Sequence, residues 1–385
     1  MFRPFLNAIE PVNAIVPVHT VDTVNASDSG MTVAVRSMSA VPYPIRSPKR
    51  GMIGHDCNSG GVMRVLITGI TGPVGSFLAD YLLTIPGLEI HAFKRWRSDP
   101  RPIEHLLGKI TIHEGDIEDS FSVDRAIATA RPDRIFHLAA QSYPSASWDA
   151  PILTMRTNVE GTLNLLEAAR RHVPQARIHI AGTSAEYGPV RPDEVPILEE
   201  HPLRPASPYG VSKVAAELSG LQYHASYGLH VIVTRSFNHV GPRQGDRCSI
   251  QTFCRQMALI EVGKQAPIMY VGNLSSKRDF THTRDVARAL WLLLEHGVPG
   301  EVYNLCSGNA VRIGDIVDMV VAMGRVPVTV QVDPSRLRPV DEPILQGDNR
   351  KLRAATGWQP EIGIEQIVAE VLDYWRQQLA ITDGR

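Results

Sequence analysis

The sequence predicts an α/β fold in which helices cover both faces of a parallel sheet, and two regular features lead to this prediction. From Met63 onward, short apolar runs such as "MRVLITG" alternate with longer amphipathic stretches such as "SFLADYLLTI". Buried parallel strands read as continuous apolar runs, and crossover helices show a period of about 3.6 residues. A repeated strand–helix order of this kind is typical of a doubly wound parallel sheet.

The composition is that of a globular domain with ample core. Of 385 residues, 43% are hydrophobic and 21% are charged, and the net charge of -1 gives no general attraction to nucleic acid or membranes. No apolar run reaches the roughly 18–20 residues needed to span a bilayer. The four cysteines include no CxxC pair, so we expect reduced thiols in a cytoplasmic protein and no metal site; they are Cys57, Cys248, Cys254 and Cys306.

The chain divides into three predicted parts. Residues 1–62 lack a sustained helical or strand period, so we expect a disordered extension or upstream sequence from a mis-assigned start, with a transit peptide as the alternative. After Val240 the chain becomes richer in Arg, Pro and Gly, although "GEVYNLCSG" reads as one more strand of the sheet. The predicted parts are therefore an extension (1–62), a cofactor-binding domain (63–240 plus 281–306) and a smaller, discontinuous C-terminal substrate domain (241–280 plus 307–385).

A glycine-rich turn follows the first predicted strand and opens the first helix. In "TGITGPVG", residues Gly69, Gly72 and Gly75 have GxxGxxG spacing, and Val74 stands inside the helix start. Glycine allows a tight turn and close approach to a pyrophosphate, which binds at a helix N-terminus. In this strand–turn–helix context the motif predicts a Rossmann-type dinucleotide site made by these four residues, rather than an ordinary turn.

The second predicted strand ends in "HAFKRWRSD", where cations precede the first acid. An NAD-type site usually places an acid here to bind the ribose 2′-hydroxyl. This chain offers Lys94, Arg95 and Arg97 before Asp99, and cations suit a 2′-phosphate. The sequence therefore predicts NADP(H) as the cofactor, with Arg95 as a contact. The alternative is a solvated basic loop.

Two later strand ends supply further candidate cofactor contacts. In "EGDI", Asp116 is placed to meet the adenine ring, with Ile117 beside it. In "HLAAQ", small and apolar residues stand where the backbone passes close to the cofactor, and these are Leu138, Ala139 and Ala140.

A YxxxK pair carries the predicted chemistry. Tyr209 and Lys213 in "SPYGVSK" share one face of a helix, since residues four apart are neighbours there. An ammonium near a phenol favours the phenolate, so we expect a lowered Tyr209 pKa and proton transfer near neutral pH. Lys213 can also hold the nicotinamide ribose. The buried strand "ARIHIAGTS" brings Thr183 to the same edge of the sheet.

In combination, the motifs resemble those of the extended short-chain dehydrogenase/reductases that act on nucleotide sugars. The similarity runs from Met63 to about Leu379 and is greatest to the NAD-dependent epimerase/dehydratase group containing GDP-mannose 4,6-dehydratase and GDP-4-keto-6-deoxy-D-mannose reductase. The stretches that carry it include "TGITGPVG", "LRPASPYGVSK", "SFNHVGPRQG", "VGNLSSKRDF" and "LRPVDEPILQGD". The resemblance implies a triad of Thr183, Tyr209 and Lys213, a GDP-sugar substrate, and a homodimer or homotetramer.

The resemblance also implies contacts in the second half of the chain. His239 is expected near the nicotinamide, and three residues are expected to bind the sugar diphosphate: Asn238, Arg278 and Arg338. A guanidinium suits phosphate oxygens through paired donors. Each residue also has a structural alternative: a turn cap for Asn238, a core position for His239, an ion pair for Arg278 and a solvated loop for Arg338.

The segment "AGTSAEYG" bears on which reaction is performed. In dehydratases that resemble this chain, a Glu two residues before the Tyr moves the protons at C5 and C6, and here that position is Ala185. Glu186 is adjacent, but on an extended backbone neighbouring side chains face opposite ways, so we expect it to point away from the sugar unless a bulge re-aims it. The sequence therefore favours NADPH-dependent reduction to GDP-D-rhamnose. GDP-mannose 4,6-dehydratase, another nucleotide-sugar epimerase or reductase, and an NADP-binding regulator without turnover are the alternatives.

Overall fold

A computed structural model of the chain describes residues 62–246, 248–337 and 342–383. The expectation for the N-terminal extension concerns residues 1–62, and residues 1–61 of it lie outside the described part of the chain. Within the described part of the chain, no helix is both long and apolar enough to cross a membrane. Cys248, Cys254 and Cys306 are free thiols.

Strands and helices alternate along the first two thirds of the described chain. The strands are β1 (Met63–Thr68), β2 (Leu88–Lys94), β3 (Thr111–Glu114), β4 (Arg134–His137), β5 (Arg177–Thr183), β6 (His230–Ser236), β7 (Asn238–Val240), β8 (Ile268–Val271), β9 (Lys277–His282), β10 (Val302–Leu305), β11 (Ala310–Arg312), β12 (Thr329–Val332) and β13 (Ile344–Leu345). The α-helices are α1 (Pro73–Leu82), α2 (Ser120–Ala130), α3 (Pro144–Asp149), α4 (Pro151–Met155), α5 (Gly161–His172), α6 (Pro208–Tyr227), α7 (Ser249–Glu261), α8 (Thr283–His296), α9 (Ile313–Ala322), α10 (Arg350–Thr356) and α11 (Ile364–Asp383).

Seven parallel strands form the main sheet in the order β10-β6-β5-β4-β1-β2-β3. One face packs against α1 and α8, through residues such as Leu78 and Leu290. The other face packs against α2, α5 and α6, through residues such as Ile127 and Leu165. The predicted doubly wound sheet is therefore confirmed, because both faces of a parallel sheet must be covered.

The remaining strands build two smaller sheets beside a separate core. β9 pairs with β7, β11 and β13, and β8 pairs with β12. Helices α7, α9 and α11 enclose this core with Met257, Val317 and Val368. Leu352 and Trp358, near α10, pack instead in the core with α1 and α8. The division of the chain into two domains stays a prediction.

Helix α6 has clear start and stop signals. The Ser207 side chain accepts a hydrogen bond from the Gly210 amide at 3.1 Å, and Pro208 occupies the first turn, where its missing N–H costs nothing. The helix ends at Gly228, whose φ of 73° lies in the left-handed region that glycine adopts readily. These signals place Tyr209 and Lys213 in the first two turns of the helix.

Candidate active site

The candidate site lies at the carboxyl ends of the central strands. The strand order reverses between β1 and β4, and in open α/β sheets a ligand binds in the crevice outside such a switch point. Thr68 ends β1, and Thr183 ends β5 beside Ser236 of β6. Residues from distant parts of the sequence therefore meet at one edge of the sheet.

The glycine turn is shaped by close backbone contact. Gly69 has a φ of 72°, and a Cβ there would lie 2.7 Å from the Ala139 amide nitrogen. A Cβ on Gly75 would lie 2.6 Å from the Gly69 carbonyl oxygen, and Gly72 is the residue before α1. Only glycine fits at Gly69 and Gly75, so the turn keeps its backbone open at the helix N-terminus. This cradle fits the pyrophosphate of a dinucleotide.

The basic segment after β2 is only partly neutralised. The Lys94 ammonium pairs with Glu114 at 2.8 Å, and an Arg97 guanidinium nitrogen lies 3.7 Å from Asp116. Arg95 is exposed at the same strand end. Of the three predicted cations, Lys94 is thus paired with Glu114 of β3, while Arg95 and Arg97 are exposed; their contact with a 2′-phosphate stays a prediction.

The other predicted cofactor contacts form the rim of the same edge. Ile117 is buried, and its carbonyl oxygen accepts a hydrogen bond from Asn164 at 3.0 Å. The Thr68 hydroxyl oxygen accepts hydrogen bonds from the amides of Leu138 and Ala139, each at 3.2 Å. These bonds join the loop after β4, which includes Ala140, to the end of β1 beneath the glycine turn.

Thr183, Tyr209 and Lys213 come together at the end of β5. The Thr183 side chain interacts with the Tyr209 phenol and, taken alone, lowers the pKa of that group. Lys213 Nζ donates a hydrogen bond to the Ala181 carbonyl oxygen at 2.8 Å. Tyr209 and Lys213 are each 8% exposed, so both polar groups lie at the bottom of the site, where water screens charge weakly.

The pKa values of Tyr209 and Lys213 are set mainly by burial, and the direction for Tyr209 differs from the expectation. Burial raises the pKa of Tyr209 to about 12, while the interaction with Thr183 opposes the shift and a negative charge on Glu186 would add to it. Burial lowers the pKa of Lys213 to about 8, a shift that a negative charge on Glu186 would oppose. The pKa of Tyr209 is therefore raised and not lowered as expected, because burial outweighs the other contributions. Tyr209 is a protonated phenol at neutral pH.

The side chains of Ala185 and Glu186 differ in their exposure to solvent. Residues Ser184–Glu186 form a 3₁₀ turn directly after β5, with Ala185 partly exposed and Glu186 fully buried. Glu186 Oε1 accepts a hydrogen bond from the Thr183 amide at 2.6 Å. The carboxyl therefore folds back beneath the strand end. The Glu186 carboxyl is buried because of a capped turn, and not through the alternation of an extended strand on which the expectation rested; its direction relative to a bound sugar stays a prediction.

The predicted substrate-binding residues are only partly brought to the site. Asn238 and His239 follow β6 closely, and Asn238 Nδ2 donates to the Asp279 carbonyl oxygen at 3.2 Å. His239 lies deep enough that burial lowers its pKa. Arg278 donates to the carbonyl oxygens of Lys277 and Glu342 at 2.9 and 2.8 Å. Arg338 lies outside the described residues. The substrate roles of Asn238, Arg278 and Arg338 stay predictions.

One buried residue that the sequence reading missed is Asn158. It lies in a π-helical turn, Arg156–Glu160, between α4 and α5. Its Nδ2 donates to Ser212 Oγ at 2.9 Å and to the Gln141 carbonyl oxygen at 3.1 Å, and its Oδ1 accepts from the Gln141 amide at 2.7 Å. Asn158 thus joins the loop after β4 to the residue before Lys213. An Asn within the apolar helix pattern of "TNVEGTLNLL" was the available signal.

Sequence comparison finds one family model and several curated relatives that match most of the chain. A GDP-mannose 4,6 dehydratase family model matches residues 66–371. GDP-6-deoxy-D-mannose reductase of Pseudomonas aeruginosa is 34% identical over 316 residues, covering 82% of this chain and 98% of that protein. GDP-mannose 4,6-dehydratase of Yersinia enterocolitica is 31% identical over 349 residues, covering 80% and 92%.

Solved structures agree with the sequence matches. The structure of RMD from Pseudomonas aeruginosa complexed with NADPH superposes with a TM-score of 0.73 at 33% identity, covering 82% of this chain and 99% of that one. The Thermus thermophilus UDP-glucose 4-epimerase complex with NAD gives a TM-score of 0.72 at 30% identity, covering 82% and 99%. The fold, the glycine turn and the matched range together show that the chain belongs to the GDP-mannose 4,6 dehydratase family.

Proposed function

We propose that the protein is an NADPH-dependent reductase that converts GDP-4-keto-6-deoxy-D-mannose to GDP-D-rhamnose. The observation that carries this proposal is the pair Ala185 and Glu186. The partly exposed position holds a methyl group, and the neighbouring carboxyl is fully buried. A ketone reduction needs one hydride and one proton, whereas dehydration also needs an acid/base at C5 and C6.

The proton for the reduction comes from Tyr209. Bound NADPH would supply the hydride for C4, and Tyr209 would give its phenolic proton to the C4 carbonyl oxygen, which becomes a hydroxyl. Because burial raises the Tyr209 pKa to about 12, the phenol is protonated and ready to donate at neutral pH. Lys213 stabilises the resulting phenolate by its positive charge until solvent returns the proton. The Thr183 hydroxyl holds the phenol in place.

The choice of NADP(H) rests on the strand end of β2. Arg95 and Arg97 offer guanidinium groups where NAD-type sites usually place a carboxylate. The P. aeruginosa structure, which contains NADPH, supports the same choice. Gly69, Gly72 and Gly75 would hold the pyrophosphate, and Asp116 and Ile117 would lie at the adenine end.

GDP-mannose 4,6-dehydratase is the second candidate. The description of the family model and the name of the Yersinia relative favour it. It would require an acid/base near C5 and C6, and Glu186 could take that role only if the 3₁₀ turn opened and the carboxyl left its bond to the Thr183 amide. Because dehydration would require this turn to open and this hydrogen bond to break, reduction is the better-supported reaction.

A direct test compares both substrates with purified protein. With GDP-4-keto-6-deoxy-D-mannose and NADPH, we expect NADPH oxidation and a product two mass units heavier. With GDP-mannose and NADP⁺, we expect little loss of water by mass analysis. Robust formation of the 4-keto-6-deoxy sugar from GDP-mannose would establish the dehydratase instead. Inactivity with both GDP-sugars would favour another sugar substrate or a binding role.

Self-association through α4 and α6 is a further part of the proposal. These two helices pack together and leave apolar side chains exposed: Ile152 is 73% exposed, Leu153 51%, Val211 44% and Leu218 53%. Exposed apolar side chains on two neighbouring helices are typical of a protein interface, and a second copy of the chain is the proposed partner. Light scattering should give a dimer or tetramer mass that Leu218→Glu reduces.

A further inference from the structure

Glu186 is a buried carboxyl that the proposed reaction does not use. Its Oε1 accepts a hydrogen bond from the Thr183 amide at 2.6 Å. Gly182 makes room for it, since a Cβ there would lie 2.6 Å from the same oxygen. The Thr183 side chain in turn accepts from the Ala185 amide, which completes a capping box at the end of β5. The carboxyl therefore occupies a fitted space directly behind a residue of the catalytic triad.

The cationic side chain beside Glu186 is that of Arg235, which is already paired with a different carboxylate, Glu217. Arg235 holds Glu217 with two bonds, Nε to Oε2 at 2.9 Å and Nη2 to Oε1 at 2.6 Å. Its Nη1 donates to the Tyr187 hydroxyl and to the Glu199 carbonyl oxygen. Glu186 Oε2 lies 3.8 Å from Arg235 Nε, beyond hydrogen-bond distance. One guanidinium thus serves two buried carboxyls and pairs closely with only one.

Glu186 Oε2 consequently lacks a hydrogen-bond donor. It is a buried oxygen with no hydrogen-bond partner among the described residues, and it lies 3.8 Å from the same Arg235 Nε that is 2.9 Å from Glu217 Oε2. Two adjacent carboxylates, 0% and 1% exposed, cannot both stay ionised beside a single positive charge. A proton on Glu186 Oε2 removes the repulsion and supplies the missing donor toward Glu217.

We propose that Glu186 is a positioning residue that works as a neutral carboxylic acid, donating its proton to Glu217 while its other oxygen fixes the Thr183 amide. The chain Arg235–Glu217–Glu186–Thr183 then sets the end of β5 against α6. This inference rests on the proposed function only in assigning Thr183 to the reaction. The proton itself is a property of the folded chain and does not depend on any substrate.

The charges around Glu186 agree with a neutral acid. Glu217, Lys213 and Tyr209 face it from α6, and Arg235 faces it from β6. Burial, followed by the negative charge of Glu217, raises the pKa of Glu186 well above its ordinary value. A neutral Glu186 leaves the Lys213 ammonium free to stabilise the phenolate that Tyr209 becomes. An ionised Glu186 would oppose phenolate formation.

The test uses Glu186→Gln, Glu186→Ala and, as a control, Glu200→Ala at an exposed position in the same region. Infrared difference spectra of wild type against Glu186→Gln at neutral pH should show the C=O band of a protonated carboxylic acid that the Gln variant lacks. Gln keeps both the acceptor for Thr183 and a donor for Glu217, so its kcat and its pH–rate profile should stay close to wild type. Glu186→Ala should lower kcat by about tenfold or more through misplacement of Thr183, with NADPH affinity unchanged.

Each result decides between the alternatives. Absence of the carboxylic acid band would overturn the inference, because Glu186 would then be an ionised carboxylate. A Gln variant with as low a kcat as the Ala variant would also overturn it, because the position would then require the negative charge. Unchanged kcat in Glu186→Ala would also overturn it. If the Ala variant does not fold, the band and the Gln variant still decide. A wild-type protein that shows the band but does not reduce the keto sugar would refute the proposed function and leave the protonated Glu186 intact.

Discussion

The Lys213 ammonium donates a hydrogen bond to the Ala181 carbonyl oxygen at 2.8 Å, which ties α6 to β5 two residues before Thr183. The bond fixes the lysine beneath the strand end, and one helical turn earlier Tyr209 reaches the Thr183 side chain. The relative positions of all three groups therefore depend on the contact between this helix and this strand. Substitution of Thr183 or Tyr209 should therefore alter chemistry more than it alters cofactor binding.

Replacement of Tyr209 by Phe should remove the proton donor and leave the aromatic packing. We expect turnover to fall by roughly a hundredfold or more, since this is the usual contribution of a positioned acid. NADPH affinity, measured by fluorescence titration, should stay the same. Retention of near-normal turnover in the Phe variant would rule out Tyr209 as the donor.

Replacement of Arg95 by Ala should weaken the binding of NADPH but not that of NADH. Loss of a hydrogen bond to a charged group costs about 1–3 kcal/mol, and we expect NADPH binding to weaken by that amount while NADH binding barely changes. Lys109→Ala, an exposed cation elsewhere, is the matched control. Equal losses for both cofactors, or a wild-type preference for NADH, would contradict the assignment to the 2′-phosphate.

Two buried histidines should make the fold sensitive to acid. Burial lowers the pKa of His137 and of His179 to about 3, from an ordinary value of 6.5. Between these values the unfolded chain binds more protons than the folded chain, so stability rises with pH and is lost as pH falls from 6.5 toward 3. Each histidine contributes a slope of about 1.4 kcal/mol per pH unit in that window.

Urea unfolding at several pH values can measure this slope. His179 Nε2 is bonded to the Thr234 hydroxyl at 2.9 Å, and Gln in its place can keep that bond without titrating. His179→Gln should therefore flatten the dependence of unfolding free energy on pH below 6.5. An unchanged slope would show that His179 is not the group that takes up the proton.

The sequence predicted those parts of the site that depend on local spacing. Gly69 and Gly75 lie in one turn, and Tyr209 and Lys213 lie on one helix face, so short-range geometry alone brings each pair together. The inward position of Glu186 depends on a 3₁₀ turn and on Arg235 and Glu217, which no local period reveals.

Asn158 illustrates the same limit. Its hydrogen bond to Ser212 spans 54 residues of sequence and requires a π-helical turn. The Tyr209 pKa differs from its expected direction for a related reason: the sequence shows a neighbouring lysine but does not show how deeply the phenol is buried.

The identity of residue 185 should decide which reaction the site performs. Ala185 is partly exposed beside Thr183, while the Glu186 carboxyl is held behind the strand end by the Thr183 amide. Ala185→Glu should therefore add an acid/base on the exposed side without disturbing the buried carboxyl. We expect the variant to gain measurable loss of water from GDP-mannose with NADP⁺, detected by mass analysis, and Ala185→Gln to gain none. The Gln control has the same size and polarity but cannot transfer a proton, so it separates proton transfer from reshaping of the pocket. Wild-type protein that already eliminates water, and loses that activity in Glu186→Gln, would show instead that the turn opens during catalysis and that Glu186 is the acid.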